Sequence, residues 1–192
     1  FVQEDKTRDS LLGDVQEMEQ MLTEILETAR LKSEHGKLEL QTVDLNNLIQ
    51  EVCLEFEGKV PGIHFDRDGR ENMVHIDIEQ IQTVLKNILV NALKYSVPGN
   101  DPVLVRLSKD ASGYIIEIQD QGQGIPEDEL ELIFEPFYRV DKSRTKLTGG
   151  YGLGLSMCKT IIEAHGGRIS VRSKPGEGAA FCISLPDSDV KN

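Results

Sequence analysis

The stretch from Ile78 to Tyr95 constrains the fold more than any other part of the chain. Ile78, Ile81, Leu85, Ile88, Leu89 and Ala92 recur at helical spacing along one side of it. Asp77 stands where a helix N-cap belongs. Alternating apolar residues follow, first Val103, Val105 and Leu107, then Tyr114, Ile116 and Ile118, the period of two strands. A strong one-sided helix beside such strands calls for a layered arrangement.

The remaining elements fit that arrangement. Asp44 is placed to cap a helix over residues 45–57, and Ile63, Phe65, Val74 and Ile76 alternate around a turn, so residues 62–76 read as a hairpin. A short helix is expected near 127–133 and a longer one over 152–165, ended by Gly166 and Gly167. Residues 168–173 and 179–185 read as a closing hairpin. The expected class is α+β: a two-layer α/β sandwich with a mixed, mainly antiparallel sheet packed on helices. A long helix over residues 1–34 should precede it. Leu11, Val15, Met18, Leu22, Ile25 and Ala29 alternate at spacings of four and three, the seam of a coiled coil or bundle, while residues 35–43 read as a linker. Such a helix cannot bury its stripe alone, so it is expected to self-associate or dock. The expected division is residues 1–42, partial helix and linker, and residues 43–192, the main domain.

Charge narrows the partners. The formal net charge of -12 disfavours nucleic acid and anionic lipid surfaces. Cys53, Cys158 and Cys182 form no CxxC pair and sit among apolar residues, which suits reduced thiols in a cytoplasmic protein. No apolar run approaches the ~20 residues that span a bilayer, so no membrane contact is expected of these residues. The chain opens on Phe1 and reads as a cut fragment whose parent is open to anchoring in an inner membrane.

Three clusters carry chemistry. Asn87 and Asn91 share a helical face, with Lys94 adjoining it. Amide oxygens suit a hard cation such as Mg2+ and a lysine suits phosphate, although the same residues also describe a solvated polar stripe. Asp120, Gly122, Gly124 and Ile125 follow directly on a strand. A carboxylate there can accept from an exocyclic amine such as that of adenine, or simply end the strand. Gly150, Tyr151, Gly152, Leu153 and Gly154 open an apolar-periodic helix, where backbone N–H groups can face a phosphate. With no strand adjoining it, this is not a dinucleotide-binding fingerprint.

Taken in this order, the three clusters resemble the ATP-binding catalytic domain of sensor histidine kinases, within the GHKL ATPase superfamily. Residues 87–96 resemble its N box and residues 120–124 its first glycine box. Residues 134–139, which include Phe134, Phe137 and Arg139, resemble its F box. Residues 150–154 resemble its second glycine box and residues 176–181 a third, with Ala179 where Thr is common. The likeness spans residues 43–186, and the preceding helix resembles the second helix of the dimerisation and phosphotransfer domain.

The resemblance implies a protein histidine kinase that moves the ATP γ-phosphate to a histidine and onward to an aspartate of a response regulator receiver domain. It implies ATP and Mg2+ as ligands and a homodimer for the full-length protein. Asn91 would ligate Mg2+ with Asn87 assisting, Lys94 and Arg139 would meet phosphates, and Tyr95 would flank adenine. Asp120 would read the adenine amine in a pocket shaped by Gly122, Gly124 and Ile125. Phe134 and Phe137 would anchor a lid over about residues 139–151, and Gly150, Gly152 and Gly154 would cradle the phosphates. No phosphoacceptor motif surrounds His35, His64, His75 or His165. A hydrolytic relative, such as DNA gyrase or a chaperone ATPase, would carry Glu where Asn87 stands. A nucleotide-binding or dimerisation module without catalysis is the other alternative.

Overall fold

The computed structural model describes residues 37–67, 69–97, 99, 101–140 and 151–187, together with isolated positions between Val15 and Ala29, all of them helical. Most of the expected 1–34 helix, and Gly150 with most of the expected lid, lie outside the described residues. Strand β1 (Leu40–Asp44) leads into helix α1 (Leu45–Leu54); β2 (Ile63–Asp66) and β3 (Met73–Asp77) precede helix α2 (Ile78–Tyr95). Strands β4 (Val103–Asp110) and β5 (Gly113–Gln119) form a hairpin. Two short 3-10 turns, Glu127–Glu129 and Leu132–Phe134, stand where one short helix was expected. Helix α3 (Gly154–Ala164) and strands β6 (Arg168–Ser173) and β7 (Ala179–Pro186) complete the domain.

The main sheet runs β2-β4-β5-β7-β6, antiparallel except for the parallel β2–β4 pair. Val105, Leu107, Ile116, Ile118, Phe181 and Ile183 point from it into a core shared with Leu45, Ile49, Leu85, Ile88, Ile161 and Ile162 of the helices. Each such aliphatic side chain, fully buried, contributes about 1.5–3 kcal/mol. The opposite face is polar. Glu117 of β5 bridges Arg106 of β4 and Arg172 of β6 there. The two-layer α+β expectation therefore stands.

Two local expectations fail. Residues 62–76 are not a hairpin: β2 joins β4, whereas β3 pairs antiparallel with β1 in a separate ribbon. The cause lies in the connecting residues. Asn72 is 2 % exposed and donates its N–H to Asp44 Oδ1, while its carbonyl accepts from Leu45 N at 3.0 Å. Asn46, 1 % exposed, holds the Arg70 carbonyl at 2.6 Å. The turn is thus folded onto the start of α1, and β3 is carried away from β2. For the same reason the linker read over 35–43 already contains a strand by Leu40.

Both predicted N-caps are present. Asp44 Oδ1 accepts from Asn46 N at 3.0 Å, and Asp77 Oδ1 accepts from Gln80 N at 3.2 Å. Helix α3 differs: its N-cap residue is Leu153, with no side-chain hydrogen bond to the first turn.

Candidate functional site

The site is built where α2, the start of α3 and the loop after β5 meet. Asn87, half-buried on α2, donates from Nδ2 to the Thr83 carbonyl at 3.0 Å. Its Oδ1 faces Gly154 so closely that a Cβ there would lie 2.7 Å away. The glycine thus lets the α3 terminus rest directly on the amide. Asn91 lies one helical turn further along α2 and is half-buried. Leu153 supplies no side-chain cap to α3, and the N–H groups of a first turn with the positive end of its dipole suit an anion.

The C-terminal end of α2 meets the Asp120 loop. Ser96 and Gly122 form an isolated antiparallel bridge, and any side chain at Gly122 would run into the Tyr95 carbonyl. Asp120 is 4 % exposed. Its Oδ1 accepts from Gly122 N at 2.8 Å and Ala179 N at 3.3 Å. Burial pushes its carboxyl above the usual carboxylate range, and those two N–H groups pull the other way. Gly124 (φ +72°) and Gly178 (φ +75°) are left-handed and press against the Lys174 and Asp120 carbonyls, contacts no side chain could share. Ile125 is held through its N–H by Ser173 Oγ at 2.8 Å.

The third junction closes the circuit. Phe137 N donates to the Gly152 carbonyl at 3.0 Å, and a Cβ on Gly152 would sit 2.5 Å from the Tyr138 carbonyl. Phe134 is buried and meets Phe181 edge-on at 6.5 Å. Phe137 is 60 % exposed, with a left-handed φ of 65°, so its contact with Gly152 is made by its backbone and not by its ring. Arg139 lies near enough to Lys94 to act on it. Burial, and then that guanidinium, hold the Lys94 ammonium below the usual lysine range. Two cations close enough to feel each other in an acidic protein suit a polyanion. Lys94 also lies 5.1 Å from the Tyr95 ring centroid. Tyr95 and Tyr151 are both partly exposed.

The predicted residues Asn87, Gly154, Leu153 and Gly152 are thus linked by contact or chain neighbourhood, as are Lys94, Tyr95, Gly122 and Asp120, with Arg139 joined to Lys94 through its charge and Asn91 alongside on α2. Gly150 lies outside the described residues. Sequence reasoning missed the Ala179 amide as a donor to Asp120. The available signal was its position directly after the Gly176-Glu177-Gly178 run.

Comparison with known proteins identifies the family. Residues 76–189, more than half of the chain, match the family described as histidine kinase-, DNA gyrase B-, and HSP90-like ATPase. The adaptive-response sensory kinase SasA of Synechococcus elongatus is 34% identical over 93% of this chain and 46% of its own length. The solved catalytic domain of histidine kinase ThkA, in a nucleotide-free form, is 30% identical, with a TM-score of 0.67 over 78% of this chain and 97% of that one. Full-length ShkA in complex with AMPPNP is 26% identical, with a TM-score of 0.75 over 87% of this chain and 35% of that one. The chain spans less than half the length of SasA and of ShkA. On these grounds the chain belongs to the histidine kinase-, DNA gyrase B- and HSP90-like ATPase family, within its sensor histidine kinase group.

Proposed function

We propose that this chain is the ATP-binding catalytic part of a sensor histidine kinase, with residues 1–42 the end of a dimerisation and phosphotransfer domain. The observation that carries the reading is the contact of Asn87 Oδ1 with Gly154, which sets amides of one helix against the uncapped start of another. Solved ShkA, a structural neighbour, is described with AMPPNP, an ATP analogue.

Each residue has a role in positioning ATP. The buried Asp120 carboxylate accepts from the adenine amine, and Tyr95 flanks the base. The first-turn N–H groups of α3 receive phosphate oxygens, and Lys94 with Arg139 neutralises their charge. Among the described residues no cluster of three or more His, Cys, Asp or Glu is placed to hold a metal. A cation here would rest on amide and phosphate oxygens, which fits Mg2+. Asn91 would hold it with Asn87 assisting, and the ion would neutralise phosphate charge. The chemistry is an in-line displacement: a histidine nitrogen bonds to the γ-phosphorus as the bond to the bridging oxygen of ADP breaks. Asn87 stands where a hydrolytic relative would carry a general base, and an amide cannot take a proton from water.

The acceptor histidine is supplied by a segment outside this sequence, and the phosphate passes to a response regulator receiver domain. The parent works as a homodimer, on the cytoplasmic side. Among the described residues no helix is long and apolar enough to cross a membrane. A fluorescent ATP analogue titrated with and without Mg2+ tests the reading. Saturable, Mg2+-enhanced binding without acid-labile phosphate on the chain is expected; rapid ATP hydrolysis would favour a gyrase-like ATPase instead.

A further inference from the structure

Three polar or close contacts join helices α2 and α3 and their caps in antiparallel order. The first is Asn87 with Gly154 and the second is Cys158, whose thiol lies 3.8 Å from the Val84 carbonyl. The third lies at the far end, where His165 Nε2 accepts from the Asp77 backbone N–H at 3.0 Å. The spans match: ten residues along α2 and eleven along α3 are each roughly 15–17 Å at helical rise. His165 is the C-cap of α3, and its Nδ1 lies 2.8 Å from the Ile161 carbonyl. A carbonyl only accepts and an N–H only donates, so the ring carries its proton on Nδ1 and presents a lone pair from Nε2. Asp77 is itself a junction. Its Oδ1 caps α2, and its Oδ2 accepts from Glu39 N at 2.9 Å, just before β1.

We infer that His165 is a positioning residue for the nucleotide site, about 15 Å from it. Resting on the ATP reading above, the inference assigns it the longitudinal register of α3 against α2. With the helix pinned at its C-terminal end, the Gly154 amide is held over Asn87. A slide of α3 by a fraction of a turn would lift its first-turn N–H groups off the phosphates, while leaving the apolar faces of both helices in contact. The same junction ties that register to the segment preceding β1. A displacement of Glu39 is therefore felt at Asp77, and through His165 at α3.

The test compares His165→Gln with His165→Asn in the 192-residue chain. Glutamine places an acceptor near the Nε2 position. Asparagine is polar and compatible with a helix C-terminus, but too short to reach Asp77. For each variant the dissociation constant of a fluorescent ATP analogue is measured beside the thermal midpoint. His165→Asn should bind about tenfold more weakly, as expected for misplaced but intact contacts, and His165→Gln should recover most of the loss at a similar midpoint. Equal affinity in both variants and wild type would overturn the positioning role, as would losses that track the midpoint with no rescue by glutamine. Failure of the wild-type chain to bind the analogue is a different result, and it would remove the ATP reading together with this inference.

Discussion

Replacing Asp120 by Asn should make the domain more stable at neutral pH while weakening its hold on the nucleotide. Asn Oδ1 can accept the Gly122 and Ala179 N–H groups as the carboxylate does, so the fold keeps both bonds. What disappears is the cost of ionising a carboxyl that is only 4 % exposed. The sign follows from the raised folded-state value. Below the ordinary carboxylate range both folded and unfolded chains are protonated at this group, and nothing is lost. As pH rises the unfolded chain ionises first and the folded chain lags. Asp120 therefore subtracts stability through that window, and the whole penalty is present above the folded value. The advantage of the variant should accordingly be absent near pH 3 and grow to a plateau towards neutrality. Binding moves oppositely. The remaining Nδ2 donor would face the adenine amine, a donor against a donor. Losing a hydrogen bond to a charged acceptor costs about 1.5–3 kcal/mol, or roughly 10- to 150-fold in dissociation constant. Urea unfolding of both proteins across pH, beside titration of the ATP analogue, measures both effects. A variant that is less stable at neutral pH, or that binds as well as the wild type, refutes the reasoning.

Asn91→Ala should abolish the Mg2+-dependent part of nucleotide binding and leave affinity in EDTA nearly unchanged, as titrations in each buffer would show. Gly154→Ala should weaken binding several-fold, because the new Cβ would stand 2.7 Å from Asn87 Oδ1 and displace that amide. Its thermal midpoint should move little, since the clash falls on the end of one half-buried side chain. Gly178→Ala should destabilise by about 3 kcal/mol or more, because it combines a left-handed φ with a clash against the Asp120 carbonyl. A midpoint drop of roughly 6–12 °C in a thermal melt would register it.

The sequence made the helices legible because their signals are local. Asp44 and Asp77 cap as expected, and the one-sided stripe from Ile81 to Ala92 is buried. The partners of β2 and β3 were not legible. Strand pairing is non-local, and the residues that decide it, Asn46 and Asn72, look like ordinary loop polars until their burial is seen. At the site, the glycines and Asp120 announced themselves through spacing. His165 did not, because a histidine before two glycines also describes a plain helix end, and its partner stands 88 residues away.

The β1–β3 ribbon bears on how such a domain can be excised. A boundary at residue 43, where periodicity alone would put it, removes most of the strand that lines up with Met73–Asp77 and takes Glu39 from Asp77. The truncated protein would present a bare backbone edge at His75, Ile76 and Asp77, an invitation to stick to its neighbours. A cut placed upstream of Glu39 keeps that edge covered and should yield the better-behaved sample.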